Sequence, residues 1–169
     1  AEIKPGNSVL EPSAGKGAIA YAIADITKPY CIELMEANFA ALAGDLRLAA
    51  VTKDDFLNVP PHAVFDRVVM NPPFARQADI KHVMHAFKFL ADGGRLVSVM
   101  STGVTFRDDR LTNEFRALVE RCEDADQHQH ARAGIAQRRA GLRGRAVGGP
   151  GDAHRAAAGL RDHVEGKIV

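Results

Sequence analysis

The tetrapeptide Asn71-Pro72-Pro73-Phe74 combines residue types that can act on a planar amine. Proline fixes φ near about −65°, donates no N–H, and favours an extended conformation in the residue before it. The two prolines therefore make a stiff corner whose carbonyl groups keep their direction. The Asn71 side chain adds an oxygen acceptor, so that two converging acceptors can bind one NH2 group.

Such a corner can assist an amine whose lone pair is delocalised into a ring or a carbonyl group. Accepting both N–H bonds favours a pyramidal nitrogen and stabilises the positive charge that develops as the nitrogen attacks. Phe74 offers a face for stacking, which is worth about 1–3 kcal/mol for a base. The alternative is a purely structural turn that ends in a core phenylalanine.

A second candidate site is the segment from Glu11 to Gly17, with Gly15 and Gly17 separated by one residue. Glycines at a strand-to-helix turn let a ligand approach the backbone closely. A phosphate-binding loop is excluded, because Leu10 stands where it needs glycine and Gly17 where it needs Ser or Thr. A nicotinamide-binding loop stays open, since Ala20 can replace its third glycine. Glu11 would repel pyrophosphate but suits a cation.

Acidic residues follow the next two predicted strands. Glu33 stands where an acid binds ribose hydroxyls in dinucleotide-type folds. Asp55 could bind an adenine amine, with Phe56 against the base. The alternatives are a surface carboxylate for Glu33 and a helix cap plus a core ring for Asp55 and Phe56. Together with the glycine loop, these residues describe a nucleoside ligand that has a cationic end and no phosphates, which fits S-adenosylmethionine.

The elements that must position these residues alternate between apolar strands and amphipathic helices up to residue 120. This rhythm predicts an α/β fold with a mostly parallel sheet and helices on both faces, so ligands should bind beyond the carboxyl ends of the strands. The clearest helix is predicted over residues 78–94, capped by Asp79 and ended by Gly93-Gly94. Its apolar stripe is Ile80, Val83, Met84, Phe87 and Leu90, and an earlier helix has the stripe Phe39, Leu42 and Leu46.

The overall composition restricts the function classes. The formal net charge of +1 gives no overall basic field, and two cysteines, Cys31 and Cys122, make neither a disulfide framework nor a metal site. No apolar run approaches the roughly 18 residues of a membrane helix, and no leader peptide is recognisable. These features predict a cytoplasmic protein that is not embedded in a membrane.

The chain changes character near residue 121. All eight Phe and both Tyr precede it, whereas Ala, Gly and Arg make up 26 of the last 49 residues. We therefore expect one domain over residues 1–120 and a tail over 121–169. The tail lacks the side chains for a core. It is interpreted as a disordered basic arm or as the product of an out-of-frame translation.

Residues 1 to about 120 resemble the amino-methyltransferase branch of the Rossmann-like (class I) S-adenosylmethionine-dependent methyltransferases. "LEPSAGKG" resembles the cofactor loop of this family, "IE" at Ile32-Glu33 its ribose acid, and "DDF" its adenine segment. "NPPF" matches the catalytic tetrapeptide of enzymes that methylate exocyclic or amide nitrogens.

The resemblance implies a role for each of these residues. Glu11, Gly15 and Gly17 would hold the methionine part of the cofactor, within a loop that includes Pro12 and Ala14. Glu33 would bind ribose, Asp55 the adenine amine and Phe56 the adenine face. The catalytic group would be Asn71, Pro72, Pro73 and Phe74, and no metal is implied.

The resemblance also implies a seven-stranded sheet, whose last two strands we expect to be missing or degraded here. We also expect the upstream segment, which usually helps to close the cofactor site, to be missing. The favoured acceptor is adenine N6 in DNA, by direct transfer without a covalent intermediate. RNA guanine N2, protein glutamine and a truncated non-catalytic cofactor-binding module are the alternatives. A flipped base predicts a basic mouth, for which the candidates are Arg76, Lys81, Arg107 and Arg110. Cytosine C5 is disfavoured, because it needs a cysteine nucleophile in the site.

Overall fold

The computed structural model of the chain describes residues 1–122. The first of two compact units contains residues 1–112, and the second begins at Asn113 and is described as far as residue 122. The interpretation of the tail therefore lies almost entirely outside the described residues. The domain boundary expected at residue 120 stays a prediction.

Five strands of the first unit form one sheet. They are β1 (Val9–Glu11), β2 (Tyr30–Glu33), β3 (Ala50–Lys53), β4 (Phe65–Met70) and β5 (Leu90–Ser98). Their order is β3-β2-β1-β4-β5, and all neighbouring pairs are parallel. The α-helices are α1 (Ala18–Ile23), α2 (Glu36–Leu42), α3 (Ala78–Ala86), α4 (Gly103–Phe106) and α5 (residues 110–122), and 3-10 turns occupy Phe56–Asn58, Ala75–Gln77 and Phe87–Phe89.

The direction of strand addition reverses between β1 and β4. Because crossovers between parallel strands are right-handed, α1 and α2 cover one face of the sheet and α3 covers the other. The central strands are accordingly apolar and buried, with Val9 and Leu10 in β1 and Val68 and Val69 in β4. The predicted Rossmann-like α/β fold is thus confirmed.

The end of α3 differs from the prediction. The helix stops at Ala86, and Gly93-Gly94 lie inside β5, where its pairing with β4 shifts register. Gly93 has φ +74°, and a Cβ on Gly94 would lie 3.0 Å from the carbonyl oxygen of Phe65. The glycines therefore permit a bulge at a close backbone approach. Phe87, predicted in the buried stripe, is consequently exposed.

Two further local predictions are wrong. Asp79 does not cap α3, because the capping position is Gln77 and no side chain bonds there. Asp79 is instead buried, and its Oδ2 accepts the N–H of Ser101 at 2.9 Å. Helix α2 ends at Leu42, which leaves Leu46 beyond it and 86% exposed.

Candidate functional site

The candidate site lies at the carboxyl edge of the sheet, where β1 and β4 are neighbours. The loop from Glu11 to Gly17 follows β1, and the corner that begins at Asn71 follows β4. This is the point at which strand order reverses, and open α/β sheets bind ligands there. The fold therefore brings the two motifs with the strongest predicted chemistry to one edge.

Glu11 is the most unusual residue of the loop. It is only 2% exposed, and its Oε2 has no hydrogen-bond partner among residues 1–122. Burial, opposed by a hydrogen bond from the Ala20 N–H and reinforced by the charge of Glu33, raises the pKa of Glu11 to about 8. A buried carboxylate oxygen without a donor is costly, and a cationic or amine-bearing ligand would satisfy it.

Gly15 and Glu33 are joined directly. The Gly15 N–H donates to Glu33 Oε2 at 2.7 Å, while Glu33 Oε1 accepts the N–H of Met35 at 2.7 Å. Gly15 and Gly17 have φ of +55° and +82°, which glycine adopts without strain. The loop is held further by the Ala14 N–H, which donates to the carbonyl of Ile32.

The other loop residues support this arrangement by packing. Pro12 and Ala14 are buried, and a Cβ on Gly17 would meet Leu42 at 2.7 Å and Tyr21 at 2.8 Å. Gly17 is therefore required both by its backbone conformation and by the approach of α2. Gly15 has open space around it and leaves room beside Glu33.

The predicted adenine segment, Asp54 to Phe56, exposes less of its aromatic ring than a contact with adenine requires. Asp55 caps the 3-10 turn by accepting the Leu57 N–H at 3.0 Å. Phe56 is 2% exposed and packs against His82, His85 and Phe89, with ring centroids 4.9–5.7 Å apart. The Phe56 ring thus belongs to the core in this structure, and its contact with adenine stays a prediction.

The corner after β4 presents its polar and aromatic groups outward. Pro72 is buried, whereas Asn71 and Pro73 are exposed and Phe74 is 46% exposed. Within residues 1–122 the Asn71 side chain has no hydrogen-bond partner. The amide oxygen and the ring are thus accessible to a substrate, as the predicted roles require.

The chain just beyond the corner is bent by two left-handed residues. Arg76 and Gln77 have φ of +54° and +58°, a conformation that costs a non-glycine residue about 1–2 kcal/mol. Gln77 is held there by hydrogen bonds from its Nε2 to Asp109 at 2.7 Å and to Thr112 at 3.2 Å. The segment after Phe74 is therefore fixed to the start of α5.

Sequence reasoning assigned no role in the site to two buried polar residues of α3, His82 and Asp79. His82 in α3 is buried and lies 3.4 Å from the hydroxyl of Ser13 in the glycine loop. Burial lowers the pKa of His82, and Asp55 partly offsets that effect. In the described part of the chain, Asp79 Oδ1 has no hydrogen-bond partner. Both residues are buried with the apolar side of α3. The only sequence signal for a special role is that a polar side chain occurs among those apolar positions.

Three of the four residues predicted for a basic mouth line one cavity. Arg76, Arg107 and Arg110 do so, whereas Lys81 does not. Among the described residues no cluster of His, Cys, Asp and Glu could hold a metal ion. In this part of the chain no helix is long and apolar enough to cross a membrane.

Comparison with solved structures places this fold among the methyltransferases. A candidate methyltransferase from Bacillus halodurans C-125 superposes with a TM-score of 0.51 at 23% identity, over 71% of this chain and 54% of that one. An S-adenosylmethionine-dependent methyltransferase from Mesorhizobium loti gives 0.52 at 14% identity, over 62% and 50%. The chain thus spans about half the length of these proteins. No curated protein matches it in sequence.

The family model for the methyltransferase small domain matches residues 2–128, which is most of the chain. The residues present fit the cofactor of such proteins. The unpartnered Glu11 oxygen suits its cationic end, and the open backbone at Gly15 lies beside Glu33. The chain therefore belongs to the methyltransferase small domain family.

Proposed function

We propose that this protein transfers a methyl group from S-adenosylmethionine to an exocyclic amine, with adenine N6 in DNA as the acceptor. The observation that carries the proposal is the corner Asn71–Phe74 at the end of β4. Its amide and its ring are exposed beside the loop that contains Glu11 and Gly15. An acceptor for an amine and a site for a cationic cofactor thus occupy neighbouring strand ends.

The corner would prepare the amine for direct attack. The cofactor supplies a methyl group on a positively charged sulfur. The side-chain oxygen of Asn71 and the carbonyl of Pro72 would accept the two N–H bonds of the amine and stabilise its developing positive charge. The carbon–nitrogen bond would form as the carbon–sulfur bond breaks, and the nitrogen would then release one proton to water. Phe74 would stack on the base and hold it in the plane that this geometry requires.

The cysteines support direct transfer over a covalent route. Cys31 is 1% exposed, and burial raises the pKa of its thiol to about 12, with the charge of Glu11 contributing. A thiolate is the nucleophilic form, and the burial of Cys31 both disfavours that form and shields the sulfur. Cytosine C5 methylation, which needs such a nucleophile, is correspondingly disfavoured.

Product analysis tests the proposal. The full chain is incubated with S-adenosylmethionine labelled in the methyl group and with DNA, RNA or protein acceptors, and the labelled product is identified by mass spectrometry. We expect N6-methyladenine in DNA. Label in guanine N2 of RNA or in protein glutamine would identify a different substrate but would still show methyl transfer to an amine or amide nitrogen. Cofactor binding without transfer to any acceptor would instead identify a non-catalytic module.

A further inference from the structure

The feature that carries a further inference is the cavity beside the Asn71–Phe74 corner, which we call the arginine cavity. It is an open groove of about 620 Å³ lined by Arg76, Gln77, Arg107, Asp109, Arg110 and Leu111. Three arginines and one carboxylate line it, so positive charge is concentrated there, whereas the net charge of the whole chain is only +1. A groove of this kind attracts an anionic ligand.

The single carboxylate of the cavity is already engaged. Asp109 Oδ1 accepts the N–H of Thr112 at 3.0 Å, and its Oδ2 accepts Gln77 Nε2 at 2.7 Å and the Thr112 hydroxyl at 3.0 Å. These bonds lower the pKa of Asp109, so it stays ionised. Its oxygens nevertheless point to fixed donors, which limits its repulsion of an anion and anchors the wall of the cavity.

The arginines themselves are placed for contact. The side chains of Arg76 and Arg107 are exposed, and neither forms an ion pair within residues 1–122. Arg76 projects from the left-handed segment that Gln77 and Asp109 hold, and Arg107 follows α4 directly. Their guanidinium groups offer planar donors that match phosphate oxygens.

Exposed aromatic rings lie close in sequence to both arginines, although neither ring lines the cavity itself. Phe74 precedes Arg76 by two residues and is 46% exposed, and Phe106 precedes Arg107 and is 71% exposed. A basic groove combined with exposed rings is the usual surface for a single nucleic-acid strand, because phosphates contact the groove and bases stack on the rings. An acidic protein would match the charge but would not explain the rings.

We infer that the arginine cavity binds backbone phosphates of a nucleic-acid strand next to the nucleotide held at Asn71 and Phe74. This inference rests on the proposed function, since it assigns a nucleic acid to the same site, but it concerns binding and does not require transfer. Arg76 and Arg107 supply the phosphate contacts, and Phe106 stacks on a neighbouring base. DNA and RNA share the phosphodiester group, so both are tested.

Fluorescence anisotropy of labelled single-stranded DNA and RNA oligonucleotides, measured with the full chain at several salt concentrations, tests the inference. We expect Arg76→Gln and Arg107→Gln each to weaken binding by about 2- to 5-fold. Each should also reduce the slope of log K against log salt by about 0.7, the value for one phosphate contact on a single strand. Lys28→Gln, an equal change of charge at an exposed residue outside the cavity, should leave both quantities unchanged.

The outcomes separate this inference from the proposed function. The inference is overturned if wild type binds neither oligonucleotide, including the case in which an acidic peptide binds through the same arginines instead. It is also overturned if the cavity variants bind the oligonucleotides as Lys28→Gln does. Binding that depends on Arg76 and Arg107 without methyl transfer would support the inference and contradict the proposed function. Methyl transfer to DNA, combined with oligonucleotide binding that the cavity variants leave unchanged, would support the proposed function and contradict the inference.

Discussion

Glu11 ends β1, and Asn71 directly follows the neighbouring strand β4. Under the proposed function, Glu11 would recognise the cofactor and Asn71 the acceptor amine. Glu11 is buried with an oxygen that lacks a donor, which favours a cation, whereas the Asn71 amide is exposed and accepts from an amine. Under this proposal, cofactor binding and acceptor activation depend on different residues. Variants at these two positions should therefore separate binding from transfer.

If the proposed role of Glu11 holds, its carboxyl group should give cofactor binding a pH dependence. Its pKa of about 8 in the folded chain lies above the usual 4.5, so the folded state binds the proton more tightly than the unfolded state. The stability of the ligand-free protein should therefore fall as pH rises from about 4.5 to 8. A cationic cofactor favours the ionised form, so its affinity should rise as pH rises towards 8 and level off above it.

Substitution of Glu11 with Gln should remove that dependence and weaken cofactor binding about 10- to 100-fold, as expected for the loss of a charged hydrogen-bond partner. Isothermal titration calorimetry at pH 5.5 and 7.5 checks both expectations. Equal affinities and equal pH trends in wild type and Glu11→Gln would show that Glu11 does not contact the cofactor.

At the scale of elements, the glycine loop provides a matched pair of substitutions. Gly15→Ala and Gly17→Ala both place a side chain on a left-handed backbone, at about 1–2 kcal/mol each. Only the Cβ at position 17 would also collide with Leu42 and Tyr21. Gly17→Ala should therefore lower the free energy of unfolding by more than Gly15→Ala, whereas Gly15→Ala should weaken cofactor binding. Urea unfolding of both variants measures the difference, and equal losses would refute the packing role of Gly17.

The link between α3 and the end of β5 depends on Asp79. Asp79→Ala leaves the Ser101 N–H without its acceptor and should lower the free energy of unfolding by about 1–3 kcal/mol. Asp79→Asn keeps an oxygen at that position and should lose clearly less. Denaturant unfolding checks the order, and an equal loss in both variants would mean that the hydrogen bond to Ser101 does not stabilise this connection.

Much of the element pattern could be predicted, because apolar strands and helical stripes alternate strongly before residue 120. The strand ends at Glu11, Glu33 and Met70 follow from that pattern, and the fold then brings the predicted site residues to one edge. Gly93-Gly94 could not be interpreted locally, because a glycine pair suits both a helix end and a bulge. Likewise, sequence alone cannot show that Phe56 is enclosed by His82, His85 and Phe89.

At the scale of the whole molecule, positive charge is unevenly distributed. The net charge is +1, yet three arginines gather beside the corner that would hold the acceptor. Because residues 76 and 107 are far apart in sequence, their shared cavity follows from the fold and not from a sequence motif. Arg76, Arg107 and Arg110 thus line one cavity and Lys81 lies outside it, while the basic mouth for a nucleic acid stays a prediction.

Methyl transfer by wild type and Asn71→Ala, measured in parallel with cofactor affinity, tests the central claim most directly. Loss of a preorganised group that stabilises transition-state charge costs about 10²–10³-fold in rate. We expect a decrease of this size in label transferred to DNA adenine by Asn71→Ala, with S-adenosylmethionine affinity unchanged. Transfer at the wild-type rate by Asn71→Ala would contradict the assignment of the Asn71–Phe74 corner as the catalytic site.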